Sequence, residues 1–154
     1  MIVGNDGASL TYVGSKVRAC EKVGFDSTLV SLDDSISEEE LLDKVYELNN
    51  DKKIDGYIVQ LPLPEHIDTQ KVLLAVDPKK DVDGFHPVNF GRMALNLPTF
   101  ISATPNGIME LLKRYEVPTE GKNTIVIGRS DIVGKPVSIL TVSYTHLRAH
   151  ETHT

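Results

Sequence analysis

Tyr12 and Lys16 stand four residues apart in a stretch of helical periodicity, a spacing that puts phenol and ammonium on one face, a turn apart. An amine beside a partly apolar cleft gives up its proton more easily than one in water, which suits it to acid/base work near neutrality. The same spacing also describes an ordinary surface Tyr/Lys pair. Gln60 comes near the end of the apolar run Gly56-Tyr57-Ile58-Val59-Gln60-Leu61 and is followed by Pro62 and Pro64. Those prolines withhold two N–H donors and fix the backbone, making a rigid strand exit that aims the amide. At the carboxyl end of an α/β strand this position favours ligand binding over a hydrogen-bonded core amide. Asp81-Val82-Asp83-Gly84 sets two carboxylates on opposite sides of an extended segment, one for a cleft and one for solvent, although Asp-Gly is equally turn chemistry. No second acidic site follows a strand, so a paired-carboxylate hydrolase fits poorly.

Gly128-Arg129-Ser130-Asp131-Ile132-Val133-Gly134-Lys135-Pro136 lies between a strand and a helix. Glycines there let a phosphate approach the backbone, and the helix N-terminus favours negative charge. The spacing is not G-x-G-x-x-G. Arg129 and Ser130, directly after the strand, suit an adenosine 2′-phosphate and hence NADP over NAD. A strand-to-helix loop with glycines used only for packing is the plainer reading.

These residues need elements to hold them. Leu10, Val13, Val17 and Cys20 predict a helix over residues 9–23, ended by Gly24, and residues 25–32 read as a strand. Ser37-Glu38-Glu39-Glu40 is a capping box opening a helix to Asn50. Residues 56–61 read as a strand buried on both faces, and Asp68 caps a helix through Val76. A short helical segment covers residues 89–95. Thr104 as N-cap, with Pro105 at the first helical position, opens a helix through Tyr115. Residues 123–127 form another buried strand, and a further helix begins beyond the Gly128 loop. Strands alternating with helices predict an α/β fold with a parallel sheet, whose ligands bind beyond the carboxyl ends of the strands.

The 154 residues, 40% hydrophobic and 25% charged, have the makeup of a globular protein with a core. With 22 acidic against 16 basic residues and no Lys/Arg cluster, a nucleic-acid surface is not expected. A single cysteine, Cys20, set among apolar helix positions, reads as packed. With no apolar run of membrane length and no signal peptide, the expectation is a cytoplasmic protein without a membrane partner. Met1-Ile2-Val3-Gly4 reads as the latter half of a buried strand. Residues 142–154 show no helical or strand period and back-translate to a transposase-type sequencing adapter, so they are expected to be a non-native tail. His146, His150 and His153 fall there at i, i+4 and i+7, a spacing that imitates a metal site; no metal is expected.

Tyr12-x-x-x-Lys16, Val59-Gln60-Leu61-Pro62-Leu63-Pro64, Lys80-Asp81-Val82-Asp83-Gly84, Thr104-Pro105-x-Gly107 and Gly128-Arg129-Ser130-x-Ile132-Val133-Gly134-x-Pro136 together resemble the bifunctional methylenetetrahydrofolate dehydrogenase/methenyltetrahydrofolate cyclohydrolase family. The likeness runs from Ile2 to Leu140. It implies a parallel-sheet folate-binding catalytic domain over residues 1–103, without its N-terminal strand and helix. A linker helix and the truncated start of a Rossmann-like NADP-binding domain follow over residues 104–141, with a cleft between the domains. By the same resemblance Lys16 is the general acid/base, Gln60 orients and tunes it, Tyr12 packs on the folate ring system and Asp83 holds the amino edge of the pterin. Ser9 and Pro62 line that pocket. Arg129 and Ser130 take the 2′-phosphate of NADP, Gly128 and Gly134 shape the loop, and Thr104 lies by the cofactor. The implied chemistry is oxidation of 5,10-methylenetetrahydrofolate with NADP, then hydrolysis to 10-formyltetrahydrofolate, in one-carbon metabolism and purine biosynthesis. A homodimer is implied for the intact protein, and little activity for this stretch alone. Ala103 departs from the cysteine that many relatives carry before Thr-Pro. Two competing readings are a non-catalytic α/β ligand-binding module and a different Rossmann-type NAD(P) oxidoreductase, the latter having no need for Tyr12, Gln60 and Asp83 together.

Overall fold

In the computed structural model, which describes residues 1–145 and 148–151 and side chains as far as Val142, the buried pair Ile2 and Val3 forms β1 (Ile2–Val3). It pairs in parallel with β2 (Ser31–Leu32), Ile2 against Ser31 and Val3 against Leu32. On the other side of β1, the Met1 ammonium donates to Ile58 O at 2.7 Å and Gln60 N donates to Met1 O at 2.9 Å. That alternation about one residue is the pattern of a parallel ladder. The expected strands are therefore formed only in part: residues 56–61 carry a single bridge, at Tyr57, in place of a regular strand. Residues 25–30 are not strand, and Phe25 and Leu29 are exposed. Residues 56–61 are mostly half-buried, with Val59 alone fully inside. A β-rich composition describes fitness for a pleated surface; pairing still requires a neighbour along the whole run.

The chain divides into two compact units, Met1–Lys80 and Asp81–Thr154. In the first, Asp6 caps α1 (Gly7–Val23) and Gly24, at φ 77°, ends it as predicted. The predicted capping box is present at α2 (Glu38–Asn50): Glu40 N donates to Ser37 Oγ at 3.2 Å and Ser37 N donates to Glu40 Oε2 at 3.0 Å. Asp68 caps α3 (Thr69–Ala75) through Gln70 N and Lys71 N. Leu41, Val45 and Val72 from these helices are fully inaccessible and pack with Val3, Val59, Leu63, Ile67 and Val76 into the core of the unit. Asn49 closes the far ends of the helices. Its amide donates to Ala75 O at 2.8 Å, while its Oδ1 accepts from the Tyr57 hydroxyl at 2.7 Å and Asp77 N at 2.8 Å.

In the second unit, α4 (Pro87–Ala94) opens on His86, and α5 (Ala103–Arg114) follows. The N-cap of α5 is Ser102 and not Thr104, which lies inside the first turn; Ser102 turns its hydroxyl away to donate to Ile132 O at 3.1 Å. β3 (Asn123–Val126) is not buried on both faces: its residues alternate exposed and half-buried, and Ile125 and the following Ile127 are 65% and 93% exposed. α6 (Gly134–Thr145) packs on β3 and on α5, burying Val137 and Leu140, so one side of β3 is covered and the other is open. β4 (Arg148–Glu151) pairs in parallel with β3. Helix and strand thus extend past residue 142, where the sequence shows no period; a ladder is made by backbone groups and does not require side-chain alternation. His146, His150 and His153 lie outside the residues whose side chains are described. The observed class is α/β with parallel strands, as the sequence predicts.

Candidate functional site

The turn after β1 leads into α1, and Asp6 secures the join. Its carboxylate accepts from Ser9 N at 2.8 Å, and this bond with one from the Ser9 hydroxyl holds Asp6 below the usual carboxylate range. Ser9 itself is buried, at 9% exposure. One turn further, Tyr12 is 55% exposed, and the Lys16 Nζ sits 4.6 Å from its ring centroid. The predicted i, i+4 pair is therefore formed, with the ammonium against the face of the phenol. A cation over a ring at an exposed site contributes about 0.5–1 kcal/mol, enough to bias the lysine rotamer without locking it.

Gln60 is held by the ladder through its own backbone N–H. Its amide nitrogen donates to Leu61 O at 2.7 Å, and the Leu61–Pro62 bond that follows is cis. Gln60 Oε1 is buried with no hydrogen-bond partner among the described residues. Leaving such an acceptor unpaired costs on the order of 1–3 kcal/mol, which marks it as a place where a donor from a ligand or side chain would be gained. Pro62 is exposed beside it.

Lys80, the first residue of the Lys80-Asp81-Val82-Asp83-Gly84 motif, is structural. Its ammonium donates to Leu48 O at 2.8 Å and Asp51 O at 2.6 Å, where the end of α2 carries partial negative charge. In the second unit the motif continues as a turn and not as an extended segment. Gly84 N donates to Asp81 O at 3.2 Å, and Val82 and Asp83 occupy the corner. Asp81 faces inward at 6% exposure and Asp83 is half-buried, so the two carboxylates are distinguished by depth. Gly84 is at φ 68°, and a Cβ there would stand 2.9 Å from both Phe100 O and Ser102 N. Backbone conformation and backbone contact both require glycine at this position.

After β3, Gly128 takes φ 149°, and the chain turns through Arg129, Ser130 and Asp131, all exposed. A Cβ on Gly134 would meet Gly128 O at 2.6 Å and Arg129 N at 2.9 Å, so the loop closes against the start of α6 on bare backbone. Ser130 Oγ accepts from Val133 N at 3.2 Å and Gly134 N at 3.1 Å. Two amides at the helix start, which the sequence offered to a phosphate, are thus taken up by the serine. Its hydroxyl proton remains available to donate. The loop therefore fits a phosphate group through the Arg129 guanidinium and the Ser130 hydroxyl more than through those amides. Lys135 pairs with Asp131. Thr104 is exposed in the first turn of α5. Among the described residues no group of three His, Cys, Asp or Glu side chains could hold a metal ion, and no helix is long and apolar enough to cross a membrane. Cys20 is half-buried on α1.

Three residues matter here that sequence spacing does not single out: Asp81 reads there only as half of an Asp pair, and Asn89 and Thr99 carry no signal that local spacing could register. Asn89 nevertheless donates to Asp81 Oδ2 at 2.8 Å and accepts from the Thr99 hydroxyl at 2.8 Å.

A parallel α/β chain with polar side chains gathered after its strands, and a glycine loop between a strand and a helix, falls in the class of α/β proteins that bind ligands at strand ends. Residues 1–83 match the model of the tetrahydrofolate dehydrogenase/cyclohydrolase catalytic domain, and residues 102–153 match that of the NAD(P)-binding domain of the same enzymes. The chain belongs to the tetrahydrofolate dehydrogenase/cyclohydrolase family. It is 65% identical over 161 residues to the bifunctional protein FolD of Flavobacterium johnsoniae, covering 98% of this chain and 55% of that protein. Among solved structures, the bifunctional methylenetetrahydrofolate dehydrogenase/cyclohydrolase FolD of Campylobacter jejuni superposes with a TM-score of 0.92 at 42% identity, over 99% of this chain and 55% of that one. The Trypanosoma brucei dehydrogenase-cyclohydrolase, complexed with NADP cofactor and inhibitor, gives a TM-score of 0.90 at 34% identity, over 99% of this chain and 52% of that one. The chain thus spans about half the length of the curated relatives it matches.

Proposed function

We propose that this chain carries the folate-handling residues of an NADP-dependent 5,10-methylenetetrahydrofolate dehydrogenase and 5,10-methenyltetrahydrofolate cyclohydrolase. The observation that carries the reading is the Lys16 ammonium poised 4.6 Å over the Tyr12 ring on the helix that follows the first strand. Ser9, Tyr12, Lys16, Gln60, Pro62 and Asp83 all fall within the residues matched by the catalytic-domain model, and Thr104, Gly128, Arg129, Ser130 and Gly134 within those matched by the NAD(P)-binding model. NADP, when bound, supplies the hydride acceptor that turns the methylene bridge into a methenyl cation. In the hydrolytic step water adds to that cation, and Lys16 takes the proton released and returns one to the ring nitrogen as the bridge opens. Gln60 Oε1, buried and unpaired, orients the amine by accepting from it. Tyr12 stacks on the folate ring system, with Ser9 and Pro62 lining its pocket. Asp83 accepts from the amino edge of the pterin through charge-assisted bonds. Arg129 and Ser130 hold the 2′-phosphate of NADP, on the loop shaped by Gly128 and Gly134, with Thr104 beside the cofactor. The same reading makes the protein a cytoplasmic homodimer serving one-carbon supply for purine biosynthesis, with no membrane or nucleic-acid partner.

The test is single-turnover hydrolysis of 5,10-methenyltetrahydrofolate, followed by loss of its absorbance, with the 154-residue chain in excess. Wild type should bind the compound and hydrolyse it faster than buffer does, whereas Lys16→Met should bind it and leave the buffer rate. A Lys16→Met chain that hydrolyses as fast as wild type overturns the role of the lysine. A wild-type chain that does not bind the compound overturns the folate reading.

A further inference from the structure

Asp81 is buried, yet it has no part in the chemistry proposed above. Its Oδ2 accepts from His86 N at 2.8 Å and from the Asn89 amide at 2.8 Å, and its Oδ1 accepts from Phe85 N at 3.3 Å. Burying a carboxylate carries a large desolvation penalty, which converging donors of this kind offset only while their geometry is kept. Asn89, itself 4% exposed, is fixed in turn by the Thr99 hydroxyl. The carboxylate therefore draws Phe85, His86 and α4 back towards residue 81, and the chain between them arches over as Val82-Asp83-Gly84. The far foot of the arch is pinned differently: Gly84 lies against the backbone of Phe100, Ile101 and Ser102 with no room for a side chain. Asp83 stands between a residue fixed through its carboxylate and a residue fixed through backbone packing.

We propose that Asp81, Asn89 and Thr99 are positioning residues that hold Asp83 in one orientation for the amino edge of a pterin-class ligand. This rests on the role given to Asp83 under the proposed function. Two features separate positioning from simple loop stability. The network reaches Asp83 from its N-terminal side through side chains and from its C-terminal side through Gly84, so both flanking peptides are constrained. Its outermost member, Thr99, hydrogen-bonds Asn89 through its hydroxyl, so removing that hydroxyl loosens the network without deleting any group given a role towards a ligand. Holding a binding group within a fraction of an ångström is what such a shell contributes; misplacement by about 1 Å can lower function by roughly a hundredfold.

The experiment uses the 154-residue chain, with 5,10-methenyltetrahydrofolate as the ligand and Thr99→Val, Asp81→Asn, Asp83→Asn and the double variant Thr99→Val/Asp83→Asn. Asp81→Asn can keep its oxygen towards His86 and Asn89 and present its amide to Phe85 N, where the weakest of the bonds is lost, so the variant should fold. Thr99→Val and Asp81→Asn should each weaken binding by roughly tenfold or more, and the double variant should bind no worse than Asp83→Asn alone, since the network acts through that residue. By NMR, the backbone order parameter of Asp83 should fall in Thr99→Val and Asp81→Asn, with α6 unchanged. Additive losses in the double variant, or an Asp83 order parameter equal to wild type, overturn the proposal. An Asp83→Asn chain that binds as wild type overturns instead the role given to Asp83, and the order parameters still decide whether the network holds the arch.

Discussion

Replacing glycine by alanine at two positions of the second unit should change stability in opposite directions, and the structure gives both signs. At Gly84 the new Cβ would stand 2.9 Å from Phe100 O, 2.9 Å from Ser102 N and 3.2 Å from Ile101 C, all backbone atoms that cannot rotate away. The residue is also at φ 68°, where an L side chain costs about 1–2 kcal/mol. Forcing the two segments apart adds about 1–3 kcal/mol. Alanine recovers about 0.4–1 kcal/mol by restricting the unfolded chain. Gly84→Ala should therefore lose roughly 1–5 kcal/mol on balance. Gly91 lies in the middle of α4, and a Cβ there meets nothing within 4 Å. Gly91→Ala should gain about 0.5–1 kcal/mol from helix propensity alone. Both positions belong to the same compact unit, so urea unfolding followed by far-UV circular dichroism reads them against one transition. A Gly84→Ala midpoint equal to wild type, with an unchanged slope, would refute the claim that backbone contact excludes a side chain at residue 84. A destabilised Gly91→Ala would refute the open space assigned to that face of α4.

Leu41→Ala, which empties a fully inaccessible position of α2 in the core of the first unit, should cost about 2–5 kcal/mol there, measured by the same titration; a loss under 1 kcal/mol would mean the site collapses freely. Glu40 is held below the usual glutamate range by the Ser37 hydroxyl and backbone N–H, and Glu38 by Lys71 and Asp68 N. A depressed carboxylate stabilises the fold above its unfolded-state value and ceases to do so as the pH falls through its folded-state value. The first unit should therefore weaken as the pH drops below about 4, and Glu40→Gln should flatten that limb of the stability curve; parallel limbs would contradict it. Lys71, raised by Glu38, contributes in the reverse sense, its share being lost only as the pH climbs above about 10. Arg129→Ala should weaken NADP binding by roughly ten- to a hundredfold while barely changing NAD binding, by calorimetry; equal losses for both would remove the 2′-phosphate role. With methylenetetrahydrofolate, NADP reduction by the 154-residue chain alone should fall far below that of a full-length relative, and equal rates would refute the expectation.

What the sequence made legible was local. Ser37 with Glu40, Asp68 before α3, Gly24 after α1 and the Tyr12/Lys16 spacing each involve residues within one helical turn, and each is found as expected. Strand extent was not legible in the same way, because residues 25–29 have the right composition but lie outside the short ladder with β1. The cap of α5 moved from Thr104 to Ser102 because helix entry there is set by what packs on Gly84 and Ile132, far away in sequence. The division of labour between Asp81 and Asp83 also depends on distant partners, Asn89 and Thr99, which no spacing rule connects to an Asp-x-Asp-Gly run. The glycine loop between β3 and α6 lies where the sequence puts it, but the serine's capture of two helix amides could be seen only in three dimensions.

The light anchoring of α1 carries a dynamic consequence. Ser9 is the one buried residue of its 17, whereas α2 contributes Leu41 and Val45 to the core. Amide hydrogens along α1 should then exchange through local opening, well before those of α2, which wait for the whole unit to open. Tyr12 and Lys16 ride on that helix, so a ligand gripping both selects the closed fraction of an opening equilibrium and its measured affinity is lowered by that fraction. Anything that packs down the remainder of α1 would tighten binding without touching the ligand.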